Sequence, residues 1–151
     1  MTAGADWKRA VAGAAAGLVY GILLAILSLG AAGDGHGTLI PLVVSSAPLG
    51  VAYLGAGSDA ARGTAFFSML FAGPVLWVLL GFLVALPGRR IKLAAVLLLM
   101  HDASALGLVA ASGLTLRGIA KEIPDFVLVW GPAYLLGQAG LWWRIFVTRA
   151  T

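Results

Sequence analysis

Apolar positions in this chain gather into long unbroken runs, without the strict alternation of a half-buried strand or the single stripe of a surface helix. Uncharged stretches cover residues 10–33, 37–58, 63–88, 93–100 continued through 103–116, and 126–143. Each is bilayer-sized, because a helix rising about 1.5 Å per residue needs about 20 apolar residues to cross the hydrocarbon core. The pattern predicts an all-α integral membrane protein, a bundle of four to five transmembrane helices forming a single polytopic domain over residues 1–151. The lipid bilayer is its first partner.

Composition agrees with that medium. Hydrophobic residues make up 61% of the chain and charged residues 11%, against about 25% charged in a soluble domain. Lys8 and Arg9 ahead of the first run, with Gly30-Ala31-Ala32 near its end, resemble a secretory signal, but the uncharged length is that of a retained span. The absence of cysteine removes disulfides, thiolate metal sites and thiol nucleophiles. The net charge of +4 is ordinary flanking charge for a membrane protein and no nucleic-acid footprint. Arginine in excess of lysine, with abundant Ala and Gly, suggests a GC-rich bacterial genome and hence a multi-pass protein of the bacterial inner membrane.

The second run, "TLIPLVVSSAPLGVAYLGAG", carries Pro41 and Pro48 on either side of Ser45-Ser46. Each proline removes a backbone donor, and helices broken at membrane depth occur where the backbone is buried in protein or lines a cavity. Length favours a kinked fifth crossing, and five spans is the preferred reading because re-entrant loops are rarer than kinked spans. Charge favours a re-entrant segment: five crossings divide the Lys and Arg residues evenly, whereas a second run that leaves on the side it entered collects Lys8, Arg9, Arg89, Arg90, Lys92, Arg144 and Arg149 against Arg62, Arg117 and Lys121. Asymmetry of that kind is what the positive-inside rule expects. Both arrangements put Arg89-Arg90-Lys92 and the Arg144–Arg149 tail on one side, the cytoplasmic one.

Small residues mark where helices approach. Gly13, Gly17 and Gly21 recur every four residues along the first helix, and Ala103, Gly107 and Ala111 repeat that spacing in the fourth; such seams let backbones come close, within the bundle or in a homo-oligomer. Trp7, Trp142 and Trp143 stand beside basic residues at run ends, as interfacial anchors do. Between the last two runs, Leu116, Ile119 and Ile123 share a helical face opposite Arg117 and Lys121, a stretch suited to the membrane surface or to a polar connector.

The chemistry concentrates in "LLLMHDASALGLV", residues 97–109. A fourth helix over 93–112 has its midpoint between His101 and Asp102, and a charged Asp at the bilayer centre costs about 2.5–3.5 kcal/mol on insertion scales. Adjacent helical residues are about 100° apart, so the two do not pair with one another. His101 shares a face with Ser104, while Asp102 looks to another helix or to water. Ser45, Ser46, Tyr134 and Gln138 are the polar groups at similar depth in other runs, and with His101, Asp102 and Ser104 they form the predicted ligand- or proton-binding layer. His36 and Asp34, in the glycine-rich turn "GDGHGT", are secondary candidates.

Three uses of the layer compete: hydrogen-bonded glue between helices, proton or small-ligand handling in a transporter- or channel-like protein, and catalysis. Catalysis would want a nucleophile or metal set, and no H-E-x-x-H, G-x-S-x-G or comparable motif is present. No catalytic residue, metal site or cofactor is assigned. The competing class is a non-catalytic accessory or scaffolding subunit of a larger membrane complex, bound to a membrane-protein partner.

Overall fold

The structure, a computed structural model, describes residues 3–32, 40–47, 49–86, 90–111 and 129–150. Its elements are α1 (Ala3–Ala32), α2 (Ile40–Ser45), α3 (Leu49–Leu54), α4 (Asp59–Ala85), α5 (Arg90–Ala111) and α6 (Gly131–Ala150). All regular structure among the described residues is helical. Three of the helices contain stretches long and apolar enough to cross a membrane: Asp6–Gly30, Asp59–Ala85 and Arg90–Ala110. The surface stretch at 114–126 and the start of the fifth apolar run, 126–128, lie outside the described residues, as do His36 and Asp34.

Exposure is inverted relative to a soluble protein. Large apolar side chains point outward on the long helices, among them Val19, Phe71, Leu106 and Leu136, while Ser28, Ser45, Ser46, His101 and Gln138 are buried with Leu24, Trp77, Leu80 and Leu98. A continuous apolar exterior of that kind suits lipid and would be a liability in water.

The glycine ridge of α1 sets the main packing. A Cβ on Gly17 would run into the carbonyl of Trp77, one on Gly13 into that of Gly81, and one on Gly21 would come 2.8 Å from the Cα of Pro74. Ascending α1 from Gly13 to Gly21 thus descends α4 from Gly81 to Pro74, so the two helices are antiparallel. Helix α6 also opposes α1: Ser28 meets Trp130, and Tyr20 meets Tyr134 and Gly137 farther along α6. The second small-residue seam lies differently, with Ala103 and Gly107 exposed and nothing within 4 Å of a Cβ on Gly107. Ala111 closes α5, and its side chain lies outside the described set.

The second apolar run is broken into two short helices. Six residues rise about 9 Å, far less than the ~30 Å hydrocarbon core, so neither α2 nor α3 crosses on its own. The Ser46 and Ala47 backbones close the end of α2 on Leu42 and Val44, and Leu49 N–H turns back to Ser46 O at 2.9 Å. Gly50 then lies against the backbone of Val43, where a Cβ would collide with the Val43 carbonyl. Residues seven apart in one straight helix are separated by about 10 Å along the axis, so this approach means that α3 folds back on α2 as a tight hairpin. Every described residue from Pro41 to Ala47 is buried.

Helix α4 begins and ends where local chemistry dictates. Ser58 is its N-cap, accepting from Ala61 N at 3.2 Å, and Leu86 leaves the helix in extended backbone immediately before Pro87. Pro74, inside α4, has no N–H to give to the carbonyl one turn earlier. Beside it Gly73 admits the hairpin: a Cβ there would stand 3.1 Å from that of Ser46.

Candidate functional site

The hairpin tip, α4, α5 and α6 converge on His101, which is 1% exposed. Its Nδ1 lies 2.8 Å from the carbonyl oxygen of Ala47, at the hairpin tip. A carbonyl only accepts, so Nδ1 carries hydrogen and donates. In the neutral ring Nε2 is then an acceptor, and it faces the Tyr134 hydroxyl at 3.0 Å. Gln138, one turn along α6, donates from its amide nitrogen to the same hydroxyl at 3.1 Å. The three groups form a directed chain, Gln138 N–H to Tyr134 O–H to His101 Nε2, ending in the bond from His101 to the hairpin.

The aromatic surround fixes that geometry. Trp77 presents its ring edge-on to His101 with centroids 5.0 Å apart, and its Nε1–H donates to Ser45 O at 3.2 Å, so a second hairpin carbonyl is held from α4. Trp130 stacks on Tyr134 at 4.8 Å and donates to Ser28 Oγ, which in turn donates to Leu24 O. Tyr20 donates to the Tyr134 carbonyl at 2.9 Å, with the Ala133 carbonyl at 3.3 Å, which ties α1 to the first turn of α6. The bonds from His101 and Trp77 serve carbonyls at the hairpin break, where the helix can no longer supply partners.

Asp102 has a different partner. Trp142 on α6 donates its Nε1–H to Asp102 Oδ2 at 2.8 Å. His101 and Asp102 therefore face different neighbours, as their angular separation on the helix requires. Of the predicted layer, His101, Tyr134 and Gln138 come together directly, and Ser45 joins them through its carbonyl and Trp77. The Ser45 and Ser46 hydroxyls bond back to Leu42 O in the same arm of the hairpin, and Ser104, half-buried, shares no described hydrogen bond with His101.

No family model, curated protein or solved structure matches the chain. Function is therefore argued from the site.

One acceptor in the site is unused. Gln138 is 7% exposed, and its Oε1 has no hydrogen-bond partner among the described residues, a state that costs about 1–3 kcal/mol for a buried polar atom. No group of three or more His, Asp and Glu side chains that could hold a metal ion occurs among the described residues.

Sequence reading missed the indole and phenol donors of Trp77, Trp130 and Tyr20, and treated Trp142 as an interfacial anchor. A signal existed: a Trp N–H in an apolar run needs an acceptor, and a broken helix supplies free carbonyls. Which carbonyl meets which ring depends on the fold-back of α2 on α3, which has no periodicity to reveal it.

Proposed function

We propose that the protein is a four-span membrane protein in which a re-entrant hairpin and a central histidine form a proton-relaying centre, of the kind used by proton-linked transporters and channels. The antiparallel setting of α1 against both α4 and α6 supports the span count. Helices that cross up, down, up and down in the order α1, α4, α5, α6 require residues 33–58 to leave and return on one side. A fifth crossing would make α1 parallel to α4 and α6. The same topology puts the larger group of basic residues, from Lys8 to Arg149, on the side of the N terminus, which the positive-inside rule makes cytoplasmic. The hairpin then reaches His101 from the opposite side.

The observation that carries the proton reading is the unused Gln138 Oε1 at the end of the chain through Tyr134 to His101. A proton arriving at His101 Nε2 turns that nitrogen into a donor towards Tyr134. The Tyr134 O–H must then swing away, and the Gln138 amide, rotated by half a turn, offers Oε1 to receive it. The bond from His101 Nδ1 to Ala47 stays intact throughout. Both protonation states of His101 are thus accommodated by reorienting a hydroxyl and an amide.

Proton flux into vesicles tests this. Reconstituted protein should collapse an imposed pH gradient, followed with an entrapped pH-sensitive dye, faster than protein-free vesicles do. Tyr134→Phe, which keeps the ring stacked on Trp130 and removes the hydroxyl, should slow it at least about tenfold, a change of about 1.4 kcal/mol in barrier. Vesicles that hold the gradient as long as empty ones would overturn the reading.

A second reading has one observation of its own. Ala103 and Gly107 expose a small-residue strip on α5, flanked by exposed Leu99 and Leu106, which suits close contact with another membrane helix. In that reading the protein is an accessory subunit and the His101 network is structural.

A further inference from the structure

A cavity of about 320 Å³ lies between α1, α4 and α6 and is only partly enclosed. Its size is within the range of small-molecule sites. One end is closed by the rings of Tyr20 and Trp77, and its walls are held back by small residues, among them Gly17, Gly81 and Gly140. Arg144 lines the other end. The lining is otherwise apolar, so a wholly polar solute would find almost nothing to bond.

Charge identifies the occupant. Arg9 stands one helical turn before Gly13 on the ridge that borders the cavity, and Lys8 two turns before Ala16, another lining residue. Both are exposed, as is Arg144 on the facing helix. Asp6 is the acidic residue in the first turn of α1. An apolar slot under a cationic rim, at the level where lipid headgroups lie, matches a molecule with a hydrocarbon tail and an anionic head. We infer that the cavity binds one anionic phospholipid, with an acyl chain running up to Tyr20 and Trp77 and its phosphate held by Arg144, Arg9 and Lys8. This site is separate from His101, and failure of the proton reading leaves it standing.

Gly140 provides the probe, because nothing lies within 4 Å of a Cβ placed there. Gly140→Phe should therefore fill the cavity without forcing helices apart. Native mass spectrometry of the purified protein, titrated with phosphatidylglycerol or with phosphatidylcholine of the same acyl chains, reads the outcome. Wild type should retain one phosphatidylglycerol, about tenfold more tightly than phosphatidylcholine, which corresponds to about 1.4 kcal/mol. Gly140→Phe should lose retention of both lipids while melting as wild type does. Arg144→Gln should keep lipid binding and lose the preference for the anionic head. Equal retention of the two lipids by wild type, undiminished binding by Gly140→Phe, or a dimer in place of a lipid adduct that Gly140→Phe dissociates would each overturn the inference.

Discussion

Single atoms decide what several positions tolerate. Gly17 has the Trp77 carbonyl where a side chain would go, whereas Gly107 has open space. Gly17→Leu should therefore lower stability by about 1–3 kcal/mol, the usual cost of forcing volume into a packed interior, and Gly107→Leu should be silent, both read from thermal melts in detergent. A Gly17→Leu protein that melts as wild type would remove the α1–α4 ridge from the core. Asp102 separates charge from hydrogen bonding. Asp102→Asn keeps an oxygen for the Trp142 indole, while Asp102→Leu strands that donor; the Leu variant should lose about 0.6 kcal/mol, and up to about 1.7, with Asn close to wild type in the same melts. Equal losses in the two variants would show that the indole bond contributes nothing.

The fate of residues 40–54 distinguishes the two topologies. A kinked crossing places Lys8 and Arg62 on one side and Arg90 on the other, whereas the hairpin places Lys8 with Arg90 and Arg62 opposite. Because the chain has no cysteine, single substitutions Lys8→Cys, Arg62→Cys and Arg90→Cys can be labelled in intact cells with a membrane-impermeant thiol reagent. Only Arg62→Cys should react from outside. Labelling of Arg90→Cys from outside, or of Lys8→Cys together with Arg62→Cys, contradicts the hairpin. The long helices were legible in the sequence because uncharged length is a one-dimensional signal, and Pro41, Pro48 and Ser45-Ser46 marked the second run as breakable. That it folds back was not legible, since the contacts that make the hairpin and the antiparallel α1–α4 pair, Gly50 on Val43 and Gly17 on Trp77, depend on which backbone each glycine meets.

At the scale of the whole molecule, the hairpin of α2 and α3 brings its free carbonyls to the polar side chains that the long helices carry inward. His101, Tyr134 and Gln138 could be nominated from sequence by depth alone, because polar residues in apolar runs are few; the wiring among them, and the partnership of Asp102 with Trp142, needed the packing. On the proposed relay, His101 exchanges a proton while the bundle stays intact. The chain has two histidines, His36 and His101, so ¹⁵N-histidine labelling gives a spectrum in which His101 is assigned by comparison with a His36→Gln protein. Titrated downward from about pH 9 to 4, which brackets the span of about pH 5 to 8 in which histidine switches operate, His101 should pass reversibly from the neutral form protonated at Nδ1 to the doubly protonated ring, with tryptophan fluorescence unchanged, and Tyr134→Phe should shift the Nε2 resonance of the neutral form. A ring that stays neutral throughout, or that gains its proton only as the protein unfolds, would contradict proton relay at His101.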